Sequence, residues 1–212
     1  VCLKDIKRNS MFLQVMKMSM IGTLITILGL SVSWGQTDLC RPSVFKDGSI
    51  WKGSDVIEMF TLTNASGMSI KVTNYAASLT DVSVPDRQGQ FEHVVLGFDS
   101  LESYLERHPK FGATIGRFAN RIRNAEFSLN GQTYHLEKNN KEHSIHGGTN
   151  GFNRQVFKTD TFYTVKDTAI VVFKYKSTHL EGGFPGNIEL SIAYKLTNHN
   201  EIVLEYTATT DK

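Results

Sequence analysis

The feature that most constrains the fold of this sequence is the regular alternation of apolar and polar residues near its C-terminus. Residues 187–196 and 201–210 both alternate in this way, and the turn-forming stretch 197–200 separates them. The apolar positions that share one face are Ile188, Leu190, Ile192, Tyr194, Ile202, Leu204 and Tyr206. Because a hairpin with one apolar face has to be covered by a second layer, the pattern predicts a β-sandwich.

Two further hairpins precede this one. The dipeptide Asn130-Gly131 favours the tight turn that joins two antiparallel strands, and Lys166-Asp167 marks a second turn between alternating segments. The strands predicted around these turns are residues 125–129, 132–136, 156–165 and 168–175.

The chain after Asp55 also has the composition of β structure. Four strand-like segments are separated by clusters of turn residues; they are residues 56–62, 68–75, 78–84 and 91–98. Residues 99–107 form the one helical candidate, on which Leu101, Tyr104 and Leu105 share a face. The sequence therefore predicts an all-β fold, a large antiparallel β-sandwich.

The charge balance argues against nucleic-acid binding. The chain has 23 Lys and Arg residues against 21 Asp and Glu residues, a formal net charge of +2, and no concentrated basic face. Cys2 and Cys40 are too few for a disulfide framework, and the seven histidines form no helical His-Glu-x-x-His pattern. His143 and His146 lie three residues apart in a glycine-bounded loop, which leaves metal binding as a minor alternative.

The first 35 residues have the pattern of a secretory signal peptide preceded by an upstream extension. A positive start at Met16-Lys17 precedes an apolar run at residues 21–32, and cleavage is expected after Gly35. We therefore expect a periplasmic or secreted protein with no stable membrane association.

The alternative is a membrane anchor formed by the uncharged residues 18–37. On either interpretation, residues 36–54 are a lead-in and residues 55–212 belong to the β-sandwich domain.

Residues that suit a ligand site are concentrated between positions 110 and 148. Glycines there let the backbone approach other groups closely, and Asn120, Arg121 and His146 offer an amide, a guanidinium and an imidazole. Sugar hydroxyls need this mixture of donors and acceptors. In a regular strand Asn120 and Arg121 would point to opposite faces, so a shared ligand requires a bend or bulge there.

Short motifs in and around this segment carry a family resemblance through their order and spacing. They are Asn74-Tyr75-Ala76-Ala77, Val94-Val95-Leu96-Gly97-Phe98-Asp99, Gly112-Ala113-Thr114-Ile115-Gly116-Arg117, Ala119-Asn120-Arg121-Ile122, His146-Gly147-Gly148 with Gly151-Phe152, and Gly183-Phe184-Pro185-Gly186-Asn187. From about Asp55 to Lys212 the chain resembles the aldose 1-epimerases, the galactose mutarotase family.

The resemblance implies a β-sandwich enzyme that interconverts the α and β anomers of aldohexoses such as glucose and galactose without a cofactor or metal. Asn120 and Arg121 would hold sugar hydroxyls, and His146 would hydrogen-bond near the reacting carbon and assist proton transfer. The principal acid, a histidine, and the base, a glutamate, would lie beyond Lys212. We therefore expect the sandwich to be incomplete at the C-terminus and this chain alone to be inactive. The alternative is a non-catalytic carbohydrate-binding β-sandwich that uses the same three residues.

Other polar and aromatic residues near the motifs have simpler interpretations. For Arg117 and Arg123, which flank the site, we expect a solvated or structural role, and His108 and His143 are weaker site candidates. Phe152 either packs against a sugar ring or belongs to the core. His199, in the predicted turn of the last hairpin, is expected to face solvent.

Overall fold

The computed structural model describes residues 41–106 and 109–212. Within these residues the regular structure consists of thirteen β-strands and four single-turn 3-10 helices, which are Glu102–Tyr104, Arg123–Ala125, Phe152–Arg154 and Glu181–Gly183. None of these helices is long and apolar enough to cross a membrane. The signal peptide and anchor predictions fall on residues outside the described part.

The first sheet has five antiparallel strands, ordered as they occur in the chain. They are β1 (Ser43–Lys52), β2 (Asp55–Thr63), β3 (Ser69–Thr73), β4 (Ser78–Pro85) and β5 (Phe91–His93). The prediction that β structure begins at Asp55 is wrong, because β1 pairs with β2 along its length. A register shift between Lys46 and Gly48 interrupts β1, so its apolar residues do not alternate as those of a regular strand would.

The segment after β5 leaves the sheet earlier than predicted. The strand ends at His93, and at Gly97 the backbone lies so close to the Thr80 carbonyl that an added Cβ would be 2.3 Å from its oxygen. Phe98 then packs edge-on against Tyr104, with ring centroids 5.1 Å apart. The helical candidate contains only the turn Glu102–Tyr104, but its predicted buried face is confirmed by buried Tyr104.

Two small ribbons follow. β6 (Arg121–Ile122) pairs with β9 (Ser144–Ile145), and between them β7 (Glu126–Leu129) and β8 (Gln132–His135) form a hairpin. The turn of this hairpin is Asn130-Gly131, as predicted, and both residues have the positive φ that a tight hairpin turn requires.

The second sheet contains four antiparallel strands in chain order. They are β10 (Lys158–Val165), β11 (Thr168–Ser177), β12 (Ile188–Thr197) and β13 (Ile202–Thr210). The two predicted hairpins, β10–β11 and β12–β13, are both confirmed.

The two large sheets pack face to face on one apolar core. Its fully buried side chains include Phe60, Leu62, Ile70 and Val72 from the first sheet and Val171, Phe173, Ile192 and Leu196 from the second. The rings of Phe60 and Phe173 meet across the interface with centroids 6.0 Å apart. The predicted antiparallel β-sandwich is therefore confirmed.

The described residues cover the two strands of the last hairpin to different extents. On β12, Ile192 and Tyr194 are buried, whereas on β13 Leu204 is 39% and Tyr206 54% exposed. The described residues thus cover the apolar face of β12 and leave much of the corresponding row of β13 open.

The core also fixes the start of the candidate site segment. The buried Tyr194 hydroxyl donates a hydrogen bond of 2.7 Å to the Ala77 carbonyl. The neighbouring Ala76 carbonyl accepts from the Thr114 N–H at 2.9 Å, and the Leu79 N–H donates to the Gly112 carbonyl at 3.0 Å. Residues 112–114 are therefore anchored to the sandwich just before the segment that carries Asn120 and Arg121.

Candidate functional site

The short ribbon of β6 and β9 brings the predicted site residues together. Arg121 pairs with Ile145 in this ribbon, so Asn120 and His146 lie side by side at its end. The Asn120 N–H donates to the His146 Nδ1 at 3.1 Å, and the His146 N–H donates to the Asn120 carbonyl at 3.0 Å. Residues far apart in the sequence are thus joined by two hydrogen bonds.

The backbone bends at both of these residues. Asn120 has φ of 66° and His146 has φ of 56°, in the left-handed region that few residues other than Gly adopt, with Asn, Asp and His the most frequent of them. The bend required between Asn120 and Arg121 is therefore present. The surrounding contacts hold this conformation.

The Arg121 guanidinium is exposed and held by two amide oxygens. Its Nε donates to the Asn140 Oδ1 at 3.2 Å, and its Nη1 donates to the Asn120 Oδ1 at 3.4 Å. A guanidinium has five N–H groups, so these bonds orient the fork and leave further donors available to a ligand. The Asn120 Oδ1 accepts from Arg121, which leaves the Nδ2 amide hydrogens of Asn120 available as donors.

Polar side chains from the segment after β8 hold the His146 loop. Asn139 brackets Ile145, accepting from its N–H at 2.7 Å and donating to its carbonyl at 2.9 Å. The Glu137 carboxylate accepts from the Thr149 N–H at 2.7 Å and from the Thr149 hydroxyl. Both ends of the loop are therefore fixed.

Closely packed glycines also support the His146 loop. Gly147 has φ of +81°, and an added Cβ there would lie 1.8 Å from the Gly116 carbonyl oxygen. Gly116 in turn rests on the ring of Phe152, which is 7% exposed and lies edge-on to Phe157. Of the two interpretations of Phe152, the structure confirms the core residue.

The electrostatics of the site favour a neutral His146. Partial burial lowers the pKa of its imidazole below the ordinary 6.5, and the positive charges of Lys110 and Arg121 lower it further. Because Nδ1 accepts the Asn120 N–H, the single proton of the neutral ring lies on Nε2. His146 therefore presents an N–H donor at the ring atom not used by the backbone.

An open and mostly apolar cleft of about 500 Å³ has Arg121 in its wall. This volume falls within the range typical of small-molecule sites. The lining residues are Arg117, Phe118, Arg121, Ile122, Phe127, Leu129, Phe184, Pro185 and Ile188; neither Asn120 nor His146 is among them.

The remaining histidine candidates lie elsewhere. His143 accepts from the Asn124 N–H through its Nδ1 at 3.1 Å, and its partner is the loop backbone. The His199 side chain is 76% exposed in the β12–β13 turn, which confirms its solvent position. His108 lies outside the described residues. Within the described part of the chain, no group of three His, Cys, Asp or Glu residues could hold a metal ion.

Several residues that shape the site were not predicted from the sequence. They are Glu137, Asn139 and Asn140, which hold Arg121 and the His146 loop, and Lys110, whose charge acts on His146. The one available signal was the Asn139-Asn140 doublet, since asparagine side chains in loops often bond to nearby backbone.

Comparisons with known proteins give this geometry a context. Residues 58–212 match the model of the aldose 1-epimerase family. The chain is 35% identical to galactose mutarotase of Mus musculus over 161 residues. The aligned residues make up 76% of this chain and 45% of that protein. It is 31% identical over 171 residues to aldose 1-epimerase of Escherichia coli, covering 81% and 46%.

Among solved structures, the chain resembles that of galactose 1-epimerase from Lactobacillus acidophilus. The TM-score is 0.71 at 28% identity, over 82% of this chain and 49% of that one. The chain thus spans about half the length of the relatives that it matches.

Proposed function

Because this chain belongs to the aldose 1-epimerase family, we propose that the whole protein interconverts the α and β anomers of hexoses such as glucose or galactose. The observation that carries the proposal is the convergence of Asn120, Arg121 and His146 at one end of the β6–β9 ribbon. The principal acid and base are assigned to a part of the protein beyond Lys212, where the family resemblance predicts them.

The three side chains supply complementary contacts to a pyranose. The free N–H groups of Arg121 and the amide hydrogens of Asn120 donate to hydroxyl oxygens, and their shared hydrogen bond keeps both on one side of the ligand. The Nε2–H of His146 donates to an oxygen at the reacting carbon. These contacts fix the sugar in one orientation, which is the prerequisite for acid–base chemistry at C1.

Ring opening requires two proton transfers on either side of one carbon. The base removes the C1 hydroxyl proton, the C1–ring oxygen bond breaks, and the acid protonates the ring oxygen to give the open aldehyde. Rotation about the C1–C2 bond followed by the reverse steps gives the other anomer. In the proposal, the His146 hydrogen bond stabilises the charge that develops at the reacting end and thereby assists the transfer.

Polarimetry of freshly dissolved α-glucose and α-galactose tests the proposal with the complete protein. We expect acceleration of the change in optical rotation, and we expect His146→Asn to reduce kcat/KM by about 10²-fold or more, the usual cost of losing one hydrogen-bond donor to the charge that develops in the transition state. His199→Asn is the matched control, because that ring faces solvent in a distant turn.

The outcomes separate the candidate functions. If the unaltered protein does not accelerate mutarotation but binds the sugar by titration calorimetry, the non-catalytic carbohydrate-binding module replaces the enzyme. If His146→Asn turns over at the unaltered rate while the protein is active, His146 has no place in the site.

A further inference from the structure

The Arg117 side chain, beside the candidate site, donates hydrogen bonds from all three guanidinium nitrogens. Its Nε donates to the Ser177 hydroxyl at 2.8 Å, and its Nη1 donates to the Pro185 and Gly186 carbonyls, both at 2.9 Å. Its Nη2 donates to the Thr178 carbonyl at 2.7 Å. One guanidinium therefore gathers both ends of the loop 177–186.

We propose that Arg117 is a positioning residue for the sugar site, which clamps the segment carrying Asn120 and Arg121 to the loop 177–186 and so sets the place of His146. The inference deepens the proposed function and rests on it for the identity of the ligand. Arg117 itself makes its hydrogen bonds to protein groups on the side of this loop, so its effect on a sugar would be transmitted through its neighbours.

The route from Arg117 to His146 passes through direct backbone contact. The Gly116 carbonyl, one peptide before Arg117, accepts from the Phe152 N–H at 3.2 Å and lies directly against Gly147. An added Cβ on Gly151 would be 2.5 Å from the His146 carbonyl oxygen and 2.9 Å from that of Gly116. A shift of Gly116 would therefore displace the His146 loop.

The clamped loop touches the same place from its other side. An added Cβ on Gly182 would lie 3.1 Å from the Gly147 carbonyl oxygen. The His146 loop is thus packed between the Gly116 peptide and the loop 177–186, the two parts that Arg117 joins. Loss of the clamp would free both supports together.

Burial and nearby acidic groups act on the charge of Arg117 in opposite directions. Burial lowers the pKa of its guanidinium, and the nearby Glu181 carboxylate opposes that effect. Glu181 accepts from the Tyr175 hydroxyl through Oε1, while its buried Oε2 has no hydrogen-bond partner among the described residues. A planar fork that meets four oxygens at once cannot be copied by an ammonium group, so Lys at this position would keep the charge and lose the clamp.

The test uses Arg117→Lys and Arg117→Ala in the complete protein, with Arg123→Ala as control because Arg123 is an exposed arginine of the same segment. We expect both Arg117 variants to lose about 10²-fold in kcat/KM, the cost of a misplacement of roughly 1 Å. In ¹⁵N-histidine NMR titrations, we expect the His146 pKa to rise toward its ordinary value, because a displaced ring is less buried. Arg123→Ala should change neither.

A purely structural role gives a different pattern. Folded Arg117 variants with a lower melting temperature but an unchanged His146 titration and unchanged kcat/KM would overturn the inference. If neither Arg117 variant folds, Ser177→Ala removes one bond of the clamp, and the same two readouts must move in the same direction by a smaller amount or the inference fails. If the unaltered protein lacks epimerase activity, the proposed function fails, and the His146 titration alone decides the role of Arg117.

Discussion

The second sheet and the site region, residues 112–154, are held together by different interactions. In the sheet, β11 and β12 pair without interruption from Thr168 with Thr197 to Ser177 with Ile188, above a core of buried apolar side chains. In the site region the only ribbon that joins Asn120 to His146 has two residues in each strand. In the site region, hydrogen bonds from individual side chains such as Asn139 and Glu137 hold the loops in place, whereas in the sheet a ladder of backbone hydrogen bonds does so.

This difference between the two regions predicts that the sheet determines the stability of the protein and that the single contacts determine the position of the site residues. A long ladder over an apolar core tolerates the loss of one polar contact, because each hydrogen bond contributes only about 1 kcal/mol net. A site built from single contacts moves when one of them is removed, although the protein remains folded. Substitutions in the sheet should therefore change mainly the free energy of unfolding, and substitutions in the site region should change mainly ligand binding.

The largest expected effect on stability is in the sheet. Phe173 is fully buried between Phe60 and Tyr194, so Phe173→Ala should lower the free energy of unfolding by about 3–5 kcal/mol. Chemical denaturation of the complete protein measures this loss. Val165→Ala, at an exposed position of β10, is the control and should cost less than about 1 kcal/mol. Equal costs for the two changes would remove the distinction between core and edge.

An intermediate effect is expected at Gly147. Its positive φ and its contact with the Gly116 carbonyl mean that Gly147→Ala strains the backbone and forces it to move, at about 1–3 kcal/mol. Gly131→Ala is a close control, because Gly131 has φ of +77° and open space around it. Melting curves should show a loss for both variants, whereas sugar binding should weaken only for Gly147→Ala. Equal binding by the two variants would contradict the view that close packing positions the site.

The smallest expected effect concerns pH. Because the folded-state pKa of His146 lies below 6.5, the unfolded chain takes up a proton first as the pH falls. The contribution of His146 to stability is therefore constant above pH 6.5, decreases as the pH falls from 6.5 to the folded-state pKa, and is constant again below it. NMR titration of Lys110→Met should show a higher His146 pKa, since one nearby positive charge is removed. Lys166→Met, in the turn between β10 and β11, should leave that pKa unchanged, and an equal shift in both variants would refute the local cause.

The sequence predicted those parts of the fold whose signals are local. Alternation and the Asn130-Gly131 turn identified all three hairpins, because a strand that buries one face and a tight turn both leave short-range patterns. β1 was missed because its register shift and exposed residues hide the alternation. The exposure of the apolar row on β13 depends on what lies opposite it, which the pattern within a strand does not report.

For the candidate site, motif order identified Asn120, Arg121 and His146, and the structure places them together, while their roles remain proposals. The supports Asn140 and Arg117 could not be assigned in the same way. Their partners, Arg121 and the loop 177–186, are distant in sequence and become neighbours only after the chain has folded. Single polar contacts of this kind have no periodicity to detect.

The bond from the Asn120 N–H to the His146 ring has a directional consequence. A main-chain N–H can only donate, and this one occupies the lone pair of Nδ1, the single acceptor atom of a neutral imidazole. A group that approaches the ring from its open side therefore meets an N–H and no atom that can accept a hydrogen bond. In a bound molecule, the atom that faces His146 would have to carry a lone pair. A protein group that takes a proton from that molecule would have to lie on the opposite side of it.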